Sequence, residues 1–401
     1  MKNYKKIHIW DFPLTLTFVR LEGKFRQGLF NKLLSVVGSQ KVLLNMIPLL
    51  SLKYYEKMKY NRFDFYSWLK GKKLDRGKIK RINIPLWLLL EFSKIISNSK
   101  DNDNQFMIEA EQNIEYYTGW GKSNPILKPK LPLQLTPEMV SIIFHFVGDG
   151  HIGRKEVSSS YRQMDKEGLT NFLLKLNNIF GEFEYGKKEF EDGRLNIPKI
   201  ITEFYTYYFN LPNTDTFQAY IPQNIKSLDK EFLVAGLVSF IIDEGSIGEV
   251  ITIYSKNKTL LRDIREISIK CDYICNPIRE KRVKGKFDVY RFGISSKSYL
   301  KLNEDIFNLK KDFPICGLAH KTKKLEISIK RKLRGTAKGR DGATKENILN
   351  LLKDRSYTIA ELVEILNVGD SSIKEHLWKL EKENKITRAG NRGRNLLWSI
   401  K

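Results

Sequence analysis

The sequence predicts an α+β chain, with a pseudo-twofold core made of two copies of one helix–strand unit and smaller, mainly helical units before and after it. Three observations predict this. SIIFHFVGDGHIG and LVSFIIDEGSIG each read as a short, uniformly apolar helix that stops at an acid followed by glycine, Asp149-Gly150 and Glu244-Gly245, and then turns into a strand. The two acids lie 95 residues apart, too far for a solenoid repeat and about right for two half-domains in tandem. After residue 343 the chain reads as three short helices and a basic hairpin. Composition points to the partner: 70 Lys plus Arg against 46 Asp plus Glu give a net charge of +24, which favours a polyanion, with nucleic acid the first candidate. Aromatic residues at 12% and apolar residues at 41% exclude a disordered basic tail.

Taken in chain order, FRQGLFNKLLSVVGSQKVLLNMI reads as amphipathic helix. FYSWLKGKKLDRGKIKRINIPLWLLLEFSKII resembles the end of a helix-turn-helix unit, with Tyr66 to Leu69 in its recognition helix and Pro85 at the first turn of the next helix. Lys70, Lys72, Lys73, Arg76, Lys78, Lys80 and Arg81 form the densest basic run of the chain, either a DNA contact or a solvated face. Residues 1–104 are therefore read as a helical module, and 105–135, with Lys128-Pro129-Lys130-Leu131-Pro132, as a connector.

The core follows at 136–330, in halves of about 136–222 and 223–330. Thr136, Pro137 and Glu138 supply an N-cap, a proline at the first helical position and an acid in the first turn. Met139, Val140, Ile142, Ile143, Phe144, Phe146 and Val147 then cover every side, so this helix must be buried all round. In the second copy Ser227 is the expected cap, and Phe232 to Ile242 repeat the pattern. Neither run is long enough to span a bilayer. An acid at the carboxyl end of a helix meets the negative end of the macrodipole, at a cost of roughly 0.3 to 1 kcal/mol. A divalent cation shared by Asp149 and Glu244 would reverse that sign. Asp243 is expected to point elsewhere, one step round the helix. Gly150 and Gly245 fit the left-handed residue that ends a helix.

These residues resemble the LAGLIDADG homing endonucleases, a family built on two such motifs. Ile142 to Gly150 and Leu237 to Gly245 occupy its nine motif positions, and the flanking segments follow its order of helix, strand pair and link over roughly residues 105 to 330. The sequence departs from the pattern at the third motif position, usually small, where Phe144 would face Ser239.

The resemblance implies a central interface made by the two motif helices, and curved sheets that read the major groove of double-stranded DNA. The strand candidates are IGRKEV with SYRQM and EFEYGKK with RLNIP in the first half, and VITIYS, NPIREKRV and DVYRFGI in the second. On them Arg154, Lys155, Arg162, Lys187, Arg194, Arg279, Lys281, Arg282 and Arg291 are the DNA-contact candidates. It also implies Mg²⁺ held by Asp149 and Glu244, hydrolysis of both strands at a long asymmetric site, and a basic residue near each scissile phosphate. Lys321 stands in a suitable place in the second half and reads equally as part of a solvated turn with Lys323, whereas LPNTDTFQAYIP in the first half has no lysine.

RKLRGTAKGRDG reads as a linker, 331–342, lacking apolar periodicity. The helices TKENILNLLKD, TIAELVEILNV and SSIKEHLWKLEKEN and the hairpin KITRAGNRGRNLLWSIK, within 343–401, resemble a winged helix domain. Thr358 caps its second helix. Lys374, His376 and Lys379 on the third helix, and Arg388, Arg392 and Arg394 on the hairpin, are candidates for groove or phosphate contact.

The three cysteines fit a reducing compartment, and the Lys-rich start carries no uninterrupted apolar stretch, so a cytoplasmic location is expected. Cys271-x3-Cys275 and Cys316-x3-His320 have zinc-like spacing in surroundings that read as ordinary packing positions. His145, inside an apolar helix, reads as a satisfied interior residue. With both motifs in one chain, a monomer is expected. The competing reading is a regulator that keeps the scaffold and binds DNA without cutting; an intein is disfavoured by the chain ends, and an RNA-splicing maturase stays open.

Overall fold

The computed structural model describes the chain except for residues 1, 55–61, 71–82, 98–102, 121–122, 154–157, 212–216, 284–285, 336–344, 367, 369 and 394. It is an α+β fold. The N-terminal stretch expected as one amphipathic helix is two, Gly23–Val37 and Gln40–Leu52. Gly38 breaks it with a φ of 88°, open to glycine at no steric cost, and the Ser39 side chain accepts from the Val42 N–H to start the second helix. Pro85 pairs with Phe18 at the end of a strand, and the next helix, Leu86–Ser97, begins one residue later. Lys70 is exposed at the end of the helix Arg62–Lys70, while Lys72, Lys73, Arg76, Lys78, Lys80 and Arg81 lie outside the described residues.

Residues 105–135 are not a free connector. They supply the rest of the helix Asp103–Gln112, and the strands Ile114–Thr118 and Ile126–Leu127 complete an antiparallel sheet with Phe18–Leu21 and Ile84–Pro85. Leu133–Gln134 pairs with Lys6–Ile7 just ahead of the first motif helix. The cause lies in Ile114, Tyr117, Ile126 and Leu133, which are buried and join one hydrophobic core running from Ile7 to Leu325. The N-terminal residues and the two repeats thus share an interior.

In that interior the motif helices Pro137–Gly148 and Lys230–Glu244 lie against each other, with nearly every side chain buried. Thr136 caps the first, its hydroxyl accepting from the Met139 N–H. Asp229, not Ser227, precedes the second; Ser227 instead closes the short helix Gln223–Lys226, its hydroxyl donating to the Asn224 carbonyl. Gly150 and Gly245 are not left-handed. They are needed for close approach, since a Cβ at Gly150 would lie 2.5 Å from Phe146 Cα and one at Gly245 2.7 Å from the Ile241 carbonyl oxygen. Phe144 packs on Gly236, where a Cβ would come within 2.2 Å of its ring, and Ser239 Oγ accepts from Lys175 Nζ. The small residue that admits a bulky partner is three positions earlier, one helical turn away.

Each motif helix runs into an antiparallel sheet. The first holds Gly150–His151, Ser159–Arg162 and Arg194–Ile197 in that order. The second holds Gly245–Ile247, Ile251–Ser255, Lys286–Ile294 and Arg279–Val283. The helices Lys166–Phe180 and Lys258–Lys270 follow equivalent strands, and Asp165 and Asn257 cap them in the same way, each accepting from two backbone N–H groups. The halves differ at EFEYGKK, expected as a strand. Glu182 bridges to Leu127, and Lys187–Glu191 is a short helix.

The expected linker is helical at its start: the helix Thr322–Gly335 runs into it, held by the buried Leu325 and by Ile329 packed on the core. The C-terminal unit has its own core of Ile348, Leu352, Tyr357, Leu362, Val363, Ile373, Leu377, Leu380, Ile386 and Trp398. Its helices are Lys345–Asp354, Ile359–Leu366 and Asp370–Lys382, and its hairpin, Ile386–Arg392 with Asn395–Ile400, also pairs with Tyr357–Thr358. Thr358 and Glu361 form a reciprocal capping box at the second helix. Among the described residues no single helix is long and apolar enough to cross a membrane.

Candidate active site

The pairing of the motif helices brings their carboxyl ends together, and with them three acids. Asp149 caps the first helix, its N–H donating to the His145 carbonyl, and Glu244 is the last residue of the second. Burial pushes the Asp149 carboxyl up to about 7, with the Asp243 charge adding and Lys321 opposing. Burial likewise raises Glu244 to about 7, Asp149 and Asp243 adding to it. Asp243, with its side chain fully enclosed, is raised by burial to about 8 against the pull of Tyr161, Lys175 and Lys321. Three desolvated carboxyls in one place favour either protons or a cation.

Lys321 is also here, and not in a solvated turn. It is 8% exposed, and its Nζ donates to the carbonyls of Ile241, Ile242 and Gly245 at 2.9, 2.5 and 2.6 Å. All three of its protons are thus spent on the end of the second motif helix, where a cation offsets the negative pole. Lys321 reaches the acids through its charge rather than through a hydrogen bond.

The sequence gives no direct sign of a buried polar chain behind the acids. Tyr161 Oη donates to Asp243 Oδ1 at 2.6 Å. His145 Nδ1 lies 3.0 Å from Asp243 Oδ2, and Lys175 Nζ lies 3.1 Å from His145 Nε2 and 2.9 Å from Ser239 Oγ. A lysine offers only donors, so Nε2 is the accepting nitrogen and Nδ1–H donates to Asp243. Burial, reinforced by Lys175, holds the imidazole well below its usual range. The one signal that could have found the chain is polar residues at interior positions: His145 and Ser239 in apolar helices, Lys175 within LTNFLLKLNNIF, and Asp243 where the first motif has Gly148.

These carboxyls set a pH dependence. Each keeps its proton to a higher pH in the fold than in the unfolded chain, so its contribution to stability is full below about 4 and is lost as the pH rises through about 7 to 8. We expect the metal-free melting temperature to fall between about pH 6.5 and 8.5, and Mg²⁺ to raise it more at the upper end, where the acids are free to bind it. Differential scanning fluorimetry checks this; a rise over that interval without metal would contradict it.

On the second sheet, alternation sends Ile251, Ile253, Phe292 and Ile294 inward. Arg291 pairs with Tyr254 on one side and Arg279 on the other, so these three, with Lys281 over the Tyr254 ring, share the outer face. Arg282, beyond a bulge, pairs with Glu280 at 2.9 Å. On the first sheet Arg162 stands opposite Arg194. Lys187 starts the short helix rather than lying on a strand, and Arg154, Lys155 and Arg394 fall outside the described residues. In the C-terminal unit Lys374 pairs with Asp370, Lys379 with Glu375, Arg388 with Glu381 and Arg392 with Glu361, and His376 is half-buried. Such surface pairs are worth about 0 to 1 kcal/mol, so a phosphate can displace them. The cysteines are free thiols, Cys271 and Cys316 buried. Among the described residues no group of three or more His, Cys, Asp or Glu is arranged as a metal site.

Residues 343–386 match the family described as bacterial regulatory protein, arsR family, which covers the helix-turn-helix part of the C-terminal unit. Among solved structures the chain is similar to the crystal structure of I-DmoI in complex with DNA and Mn, at 18% identity and a TM-score of 0.29, over 42% of this chain and 96% of that one. Comparison with curated proteins finds no match.

Proposed function

We propose that the protein is an intracellular, monomeric endonuclease that cuts both strands of double-stranded DNA at a long asymmetric site, using a divalent metal. The observation that carries the proposal is the meeting of Asp149 and Glu244, from two repeats of one chain, at the paired carboxyl ends of buried helices, where burial raises both carboxyls. Hard oxygen donors of this kind fit Mg²⁺, which takes one or two carboxylates and fills its remaining positions with water and phosphate oxygens. A magnesium ion bound there supplies charge neutralisation at the scissile phosphate and a lowered pKa for the attacking water. The chain's own part is to hold the two acids in place, to fix the second helix end through Lys321, and to seat the DNA. Arg279, Lys281 and Arg291 on one sheet, and Arg162 and Arg194 on the other, form the groove-facing surface. The 401-residue chain presents two unlike halves, one acid being Asp and the other Glu, and so one asymmetric site per monomer.

The C-terminal unit adds affinity through Lys374, His376, Lys379, Arg388 and Arg392. Removing residues 343–401 is expected to leave the core folded, because that unit's buried residues form a separate cluster. It should weaken DNA binding and lower the salt slope by about one for each phosphate that the shortened protein no longer neutralises. Binding titrations over a range of salt concentrations check this, and an unchanged slope would remove the unit from the interface.

The match of residues 343–386 to a regulatory family favours one second reading, a regulator that binds without cutting. Selection of sites from a randomised duplex pool, followed by incubation with Mg²⁺ and sedimentation of the complex, separates the two. The nuclease reading expects one chain on an asymmetric site and a metal-dependent double-strand break. Two chains on an uncut palindrome would support the regulator.

A further inference from the structure

Asp243 is the residue whose surroundings the metal-site reading leaves unexplained. Its side chain is fully enclosed between the two motif helices. It belongs to the second repeat, yet the partners that hold it belong to the first: Tyr161 Oη at 2.6 Å and His145 Nδ1 at 3.0 Å. The backbone N–H of Asp149, which donates to the His145 carbonyl, also lies beside it. Gly148 makes room for it, since a Cβ there would fall 2.8 Å from Asp243 Oδ2. Behind His145, Lys175 is 0% exposed and completes the chain to Ser239. A buried chain of this kind costs several kcal/mol unless each member is satisfied, and here each finds a partner.

The geometry points to a positioning role. We propose that Asp243 reaches across the pseudo-dyad to fix the Asp149 backbone, and that Tyr161, His145 and Lys175 hold Asp243 in the orientation this requires; the proposal rests on Asp149 being an active-site acid. Tyr161 strengthens the tie, because it pairs in register with Gly150, the residue after Asp149, so one residue grips both Asp243 and the strand that leaves the site. The end of the Glu244 helix is fixed instead by Lys321 on the carbonyls of Ile241, Ile242 and Gly245. The two acids are therefore positioned by different devices; with each acid nearer the scissile phosphate of one strand, a displaced acid slows that strand more than the other, whereas its outright removal costs the shared metal and both cuts.

The test uses the full chain with Asp243→Leu, Asp243→Asn and Tyr161→Phe. Each strand of the selected duplex carries its own label, and binding is measured in Ca²⁺. Asp243→Leu is expected to slow one strand by about tenfold or more, as substitutions behind a metal ligand do, and the other far less, so that nicked DNA accumulates. Asp243→Asn keeps an acceptor oxygen and should recover most of the loss. Tyr161→Phe retains the buried ring and should give a weaker bias toward the same strand, which decides the matter if Asp243→Leu does not fold. Equal slowing of both strands, or none, in the folded variants overturns the proposal. Hydrogen exchange at residues 148–150, measured without metal or DNA, should quicken in Asp243→Leu and return in Asp243→Asn. If the wild-type protein cuts no DNA, the nuclease reading fails, and unchanged exchange at these amides then overturns the positioning role on its own.

Discussion

Asp149→Asn and Glu244→Gln are each expected to abolish cleavage while leaving DNA binding close to wild type. Either change removes one negative charge from the candidate metal pair and keeps the size of the side chain. Loss of metal-supplied charge stabilisation is worth several kcal/mol in the transition state, on the order of a thousandfold in rate. Neither residue lies on the outer sheet faces that carry Arg279, Arg291, Arg162 and Arg194, so the affinity for the selected site in Ca²⁺ should move little. Both substitutions also remove a carboxyl that burial had raised, and the melting temperature above about pH 8 should increase rather than fall. Single-turnover cleavage with a parallel gel shift makes the comparison. Full cutting by either variant would separate that acid from the chemistry.

The second large effect concerns the interface that sets the site. Phe144→Ala empties the space against Gly236 and is expected to destabilise the fold by about 3 to 5 kcal/mol. Gly236→Ala fails for the opposite reason, because the added Cβ would come within 2.2 Å of the Phe144 ring. Overpacking of this kind costs typically about 1 to 3 kcal/mol. Combined, the two changes should cost less than their sum, since the new methyl group enters space the phenyl ring has left. Urea denaturation of the four proteins closes the cycle, and strict additivity would mean that the two residues do not meet in solution.

What is legible in the sequence follows from how local its causes are. Thr136-Pro137-Glu138 announces the start of the first motif helix because cap, proline and acid act within one turn, and Thr358 with Glu361 does the same in the C-terminal unit. The second-half strands are readable from the alternation of Ile251, Ile253, Phe292 and Ile294 with polar neighbours. The convergence of Asp149 and Glu244 follows from the repeat itself.

What is not legible depends on partners distant in sequence. Ser227 and Asp229 both suit a cap, and only the short helix Gln223–Lys226 decides between them. EFEYGKK alternates like a strand, but Glu182 bridges to Leu127 and Lys187 falls in a helix. Counting motif positions sets Phe144 against Ser239, whereas the actual meeting with Gly236 depends on how the helices are offset. Helical spacing alone turns Asp243 away from Asp149 and Glu244. It points into the helix interface, beside both acids, and its partners Tyr161 and His145 lie 82 and 98 residues away in sequence. No periodicity encodes such a pairing.

One chain is expected to bring two carboxylates, one from each repeat, onto a shared metal beside DNA. Anomalous diffraction from a crystal of the full chain with its selected duplex and Mn²⁺ checks this. The expected result is a manganese peak within coordination distance of both Asp149 and Glu244 and of a backbone phosphate, roughly 2.0 to 2.3 Å for hard oxygen donors. A well-ordered complex with the two carboxylates facing the duplex and no peak between them, or with manganese bound only elsewhere, would contradict it.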